Sequence, residues 1–179
     1  MLTKLIAVYC RALEVLIATC LAVMVVLVFG NVVLRYAFNS GLTVSEELSR
    51  WLFVWMTFLG AIVAMKDGAH LGSDTLVSKL SVSGQKVFLV IGHVLMLFIC
   101  WLLFVGSLNQ VIINWESHSP VMELSMGLFY ACGMVLAVSG ALILIDRLLR
   151  LMTGKLEDSE LIGVRESEEE PIDVPAPLK

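Results

Sequence analysis

The chain has 179 residues, of which 59% are hydrophobic and only 16% charged, and its mean hydropathy is +0.91. Soluble domains are about half apolar and about a quarter charged, so this composition excludes a disordered chain, a disulfide-stapled miniature and an ordinary cytosolic enzyme. It fits an all-α integral membrane protein. The net charge of −4 belongs to one end of the chain: residues 153–179 hold eight acids against three bases, −5 in all, and the other 152 residues total +1. Nothing basic enough to bind nucleic acid is left over.

Charge-free runs locate four spans in chain order: residues 15–34, 51–65, 87–115 and 124–145. A helix needs about 20 residues to cross a hydrocarbon layer about 30 Å thick. The first and fourth runs fit directly, and the third is long enough to tilt or to extend beyond the core. The second is too short and must borrow a turn or two from its polar flank, Thr43 to Arg50. The expected spans are therefore about 13–35, 45–66, 87–112 and 122–146, in a membrane domain over 1–152. The first run is longer than a signal-peptide core and no small-x-small site follows it, so a retained helix is expected. Residues 153–179 add Pro171, Pro175 and Pro177 to their acids, which predicts a disordered acidic tail.

Lys and Arg near the span ends set orientation. Eight lie on the side shared by both termini and the central loop, and only Arg35 and Arg50 lie on the other. Both termini are therefore expected in the cytoplasm. The 116–123 loop on the outer side has no basic residue. Trp51, Trp101 and Trp115 are read as belt residues at or near span ends.

Each group with chemical potential has a bland and a sharp reading. Glu14 follows Arg11 by three residues and shares its helical face, so an interfacial ion pair competes with a proton or cation site. The second reading would make the chain a stand-alone small proton-coupled exporter. His93 lacks the partner histidine that a haem site between helices needs. Cys10, Cys20, Cys100 and Cys132 have no metal or redox spacing. Ser107, Asn109, Gln110 and Asn114 either bond to a neighbouring helix or mark where the third span leaves the hydrocarbon. Gly60, Gly92, Gly106, Gly127, Gly133 and Gly140 are expected to allow close helix approach. No catalytic set, cofactor site or metal site is expected in this chain.

The densest pattern runs from Asn31 to Asp67. Thr43 and Glu46 have capping-box spacing. Glu46 and Glu47 lie four and three residues before Arg50, within reach of it on a helix. Arg35, Glu46, Glu47 and Arg50 are therefore the candidate interface or structural residues, against a plainer role in pinning the first hairpin at the membrane surface.

The run R-Y-x-F (35–38), followed by E-E-L-x-R-x-L-F-V-W-x-x-F-L-G (46–60), resembles the small membrane subunit of tripartite ATP-independent periplasmic (TRAP) transporters, the DctQ-like family. Residues 66–80 resemble that family's central loop. Ser119, Pro120 and Tyr130 resemble the entry to its fourth helix. The resemblance covers roughly residues 5–150 and leaves out the acidic tail. It implies a four-span scaffold subunit of a bacterial or archaeal cytoplasmic membrane. Its partners would be a large permease subunit, which carries substrate and sodium, and a periplasmic binding protein that delivers carboxylate-bearing organic solutes. Membrane lipid would surround it. The particular solute belongs to the partner proteins.

Overall fold

A computed structural model describes residues 2–67 and 82–152. The expected acidic tail and most of the central loop lie outside the described residues. Among the described residues there are four helices: α1 (Leu2–Phe38), α2 (Thr43–Asp67), α3 (Val82–Ile113) and α4 (Met126–Met152). The fold is all-α, and the four helices are each long and apolar enough to cross a membrane. An isolated bridge between His118 and Ser125 is the extended pairing among the described residues.

The helices outrun the apolar stretches that announce them. With 37 residues, α1 extends for about 55 Å, well beyond about 30 Å of hydrocarbon. The polar flank of the second run is helical from Thr43 onward, which gives α2 the length its apolar run lacks. The fourth helix starts at Met126 rather than near residue 122. The reason is local: Ser119 N–H donates to the Leu124 carbonyl at 2.8 Å, and Glu123 adopts a left-handed backbone (φ 53°). A chain folded back this way cannot continue a helix.

In space the helices do not follow chain order. α1 packs on α2, α2 on α4, and α4 on α3, while α1 meets α4 only lightly. The inner pair is therefore α2 and α4, and α1 and α3 flank it with most of their surface exposed. Leu13, Leu59, Ile62 and Ile143 form the buried cluster, joined by Ile6, Ile17, Trp55, Val63, Val135 and Leu136. Tyr9 and Ser139 share a hydroxyl–hydroxyl bond of 2.9 Å between α1 and α4.

The glycines divide into two groups. A Cβ on Gly133 would lie 2.3 Å from Ser107 Oγ, one on Gly140 3.0 Å from Met65 Cε, and one on Gly127 2.9 Å from the Trp115 ring. These three let neighbouring groups approach α4 closely. Gly60, Gly92 and Gly106 have nothing within 4 Å of such a Cβ, so close approach is not their role within the chain. Trp101 also departs from expectation. It sits near the middle of α3, exposed and stacked on Phe98 with ring centroids 6.1 Å apart.

Candidate functional site: the hairpin end of the bundle

Residues 39–42 and 114–125 lie at the same end of the bundle, where α1 turns into α2 and α3 into α4. α1 stops at Phe38. Asn39 takes the left-handed conformation (φ 49°), and Ser40 N–H turns back to the Leu34 carbonyl at 3.1 Å. Asparagine tolerates that conformation better than most residues because its short amide bonds locally. From one turn before Arg35, Asn31 then organises the turn. Its Oδ1 accepts Leu42 N–H at 2.7 Å, and its Nδ2 donates to Glu46 Oε1 at 3.3 Å. Arg35 donates to the same carboxylate oxygen at 2.5 Å. One turn along, Ser45 Oγ donates to the Leu27 carbonyl at 2.7 Å and ties α2 to α1.

Glu46 and Glu47, adjacent in sequence, point to different partners. The Arg35–Glu46 pair is exposed, at 59% and 54% of the two side chains. Glu47 is 7% exposed, and its Oε2 accepts Val121 N–H at 3.0 Å and Met122 N–H at 3.1 Å. It thereby fastens the 114–125 loop to the start of α2. The rest of that loop is closed by its own backbone: Met126 N–H reaches the Ser117 carbonyl at 2.8 Å, and Gly127 N–H the Asn114 carbonyl at 3.1 Å. Trp51, one turn after Glu47, meets the edge of Phe129 on α4 with centroids 5.5 Å apart.

Arg50 does not pair with either glutamate. Both carboxylates are already engaged, and Arg50 is exposed with no hydrogen bond or ion pair among the described residues. Helical spacing placed the three residues within reach, but tertiary partners outcompete an i,i+3 or i,i+4 contact worth only about 0.2–0.5 kcal/mol. Thr43 and Glu46 likewise form no reciprocal cap, because Glu46 turns to α1. Asn31 escaped the sequence reading since it is not ionisable. The available signal was a lone amide in an apolar run, one turn before Arg35.

Several other polar groups find partners, while the buried hydroxyls of Ser49 and Ser119 have none among the described residues. Arg11 lies 3.4 Å from Glu14, at the far end of α1. His93 donates Nδ1–H to the Leu89 carbonyl at 2.8 Å. Asn114 Nδ2 donates to the Gln110 carbonyl at 2.9 Å and to Gln110 Oε1 at 3.1 Å, and Ser107 lies against Gly133. That polar segment thus combines a helix contact with a local end. Arg147 donates to the Lys66 carbonyl at 2.5 Å and caps the last turn of α2, where a positive charge is favoured. No disulfide joins the four cysteines, of which Cys10 and Cys132 are buried. Among the described residues, no three His, Cys, Asp or Glu side chains converge as a metal site would require.

Between α2 and α3, floored by α4, runs an open groove of about 480 Å³. Val54 and Phe58 form one wall, Leu102, Leu103, Gly106 and Gln110 the other, with Phe129, Cys132 and Gly133 in the floor.

Four apolar helices, with tightly bonded turns between α1 and α2 and between α3 and α4, define a multi-pass membrane protein. The model of the family described as tripartite ATP-independent periplasmic transporters, DctQ component, matches residues 24–154, and the chain belongs to that family. It is 42% identical over 139 residues to a Haemophilus influenzae protein assigned as a TRAP transporter small permease protein, covering 78% of this chain and 86% of the relative. It is 32% identical over 96 residues to the C4-dicarboxylate TRAP transporter small permease protein DctQ of Vibrio cholerae, covering 54% of this chain and 41% of that one. A third relative is the isethionate TRAP transporter permease protein DctMQ of Oleidesulfovibrio alaskensis, 27% identical over 63% of this chain and 17% of its own length. These relatives are transporter subunits rather than enzymes.

Proposed function

We propose that this chain is the scaffold subunit of a sodium-coupled TRAP transporter that takes up carboxylate-bearing organic solutes. It assembles with a large permease subunit that carries the solute and the sodium ions, and with a periplasmic binding protein that delivers the solute. In this reading both termini face the cytoplasm, and the hairpin end with its Arg35–Glu46 pair faces the periplasm. The observation that carries the proposal is the family match over residues 24–154. The relative named DctMQ supports a large permease partner, and the C4-dicarboxylate names support an organic-acid solute. The open arrangement of helices supports a subunit role, since α1 and α3 bring long apolar faces that their own chain does not cover.

Reconstitution tests the proposal. Proteoliposomes with this chain, the large permease encoded beside it and the cognate binding protein should accumulate solute along a sodium gradient. Omitting this chain should abolish uptake. Full uptake without it would refute the scaffold role. Transport by this chain alone that disappears in Glu14→Gln would establish the exporter reading instead.

A further inference from the structure

Arg50 does not line the groove, but helix geometry places it next to the wall formed by Val54 and Phe58. Arg50 precedes Val54 by four residues, so it stands one turn, about 5.4 Å, nearer the start of α2 on nearly the same face. Helical side chains lean toward the N-terminus, which carries the guanidinium further toward the hairpin end and out over the rim. Below it on that wall come Val54 and then Phe58. On the opposite wall Gln110 lies highest, and its Oε1 is occupied by Asn114, leaving its amide NH₂ as a donor at the mouth. An apolar channel thus opens at its hairpin end between a cation and an amide donor.

The size of the groove suits a thin occupant. A helix with side chains is about 10–12 Å across, so about 480 Å³ would be filled by roughly a single turn of one. An extended hydrocarbon chain is far thinner and fits a volume of this size. The charge at the rim selects the head. Glu46 is held by Arg35 and Asn31, and Glu47 by two backbone amides. No carboxylate among the described residues pairs with Arg50, those of Glu116 and Glu123 in the neighbouring loop included, and an arginine beside a bilayer meets the phosphate of a lipid.

We propose that the α2–α3 groove is a phospholipid site, with one acyl chain lying on Gly106, Phe129 and Gly133 and the phosphate held by Arg50 with help from Gln110. The site requires only that the chain be embedded in a membrane, and it stands or falls independently of which transporter the chain serves.

Native mass spectrometry of the full-length protein in detergent tests this, with three probes: phosphatidylglycerol, diacylglycerol without a phosphate, and inorganic phosphate. Wild-type protein should retain phosphatidylglycerol best, diacylglycerol about fivefold to tenfold less well, and phosphate alone not at all. Arg50→Gln should lower phosphatidylglycerol binding to the diacylglycerol level. Gly106→Leu should weaken both lipids, because the space beside Gly106 is open and leucine fills the groove without touching the helix seams. Val54→Trp does the same from the other wall if the first variant folds poorly. Arg35→Gln, whose side chain pairs with Glu46, should bind as wild type. Unchanged lipid binding in Arg50→Gln, or in both groove variants, overturns the proposal. Normal lipid binding with loss of copurifying large permease in Arg50→Gln would assign the arginine to a protein acid instead and equally overturn it.

Discussion

Glu46 and Glu47 are neighbours of identical chemistry on the first turns of one helix, and the fold uses them in opposite ways. Glu46 stays exposed and joins Arg35 and Asn31 across a short turn, a contact within the first hairpin. Glu47 is buried and accepts two amides from a loop more than 70 residues away. One helical step rotates the side chain by about 100°, enough to move it from the α1 side to the side of the loop that precedes α4. The difference teaches that a carboxylate's worth here is set by its acceptor duties and its burial, not by the nearest arginine in sequence.

Substitutions at this end should separate the two cases in order of size. Glu47→Ala should have the largest effect, because it strands two partly buried amides. A loss of about 3 kcal/mol in thermal or denaturant unfolding is expected, with faster protease cleavage in residues 119–123. Glu47→Gln keeps an acceptor oxygen and should lose about half as much. Equal losses in the two variants would show that the charge itself is what the loop needs.

Next comes the contact of Ser107 with Gly133 on the α3–α4 seam, which involves no charge. Gly133→Ala places a methyl against Ser107 and should cost about 1–3 kcal/mol through overpacking. Combining it with Ser107→Gly should restore most of that. Gly60→Ala, with open space at the same kind of helical position, should be neutral or slightly stabilising, and a large loss there would contradict the packing described.

Glu46→Gln breaks an exposed pair and should cost at most about 1 kcal/mol, shrinking further in high salt. Arg50→Gln should fall within about 0.5 kcal/mol of wild type in folding stability, since it removes no hydrogen bond or ion pair among the described residues. Any larger loss would mean that Arg50 has a partner within its own fold.

Much of the architecture was legible because a bilayer imposes a simple rule. Apolar runs of sufficient length must be helices, since only internal hydrogen bonding satisfies a backbone in hydrocarbon. That rule yields four helices, and the shortness of the 51–65 run even forces the polar flank from Thr43 into α2. The candidate residues were legible as a cluster, because charges gathered between two spans must sit near one another. Their pairing was not. Helical spacing offered Arg50 to both glutamates, and the fold gave it to neither.

The sequence by itself determined the membrane class, the four apolar spans, the family and the end of the bundle where polar chemistry gathers. Each of these follows from local composition or from a contiguous motif. Only the tertiary structure decided that α2 and α4 form the inner pair, that Gly133 and Gly140 pack while Gly60 and Gly106 do not, and that Glu47 holds the far loop. Those outcomes depend on which helix faces meet. In a chain apolar nearly all round, periodicity carries little information about facing. Contacts between residues 47 and 121, or 107 and 133, are settled by close packing and by the need to satisfy buried amides once the helices have come together.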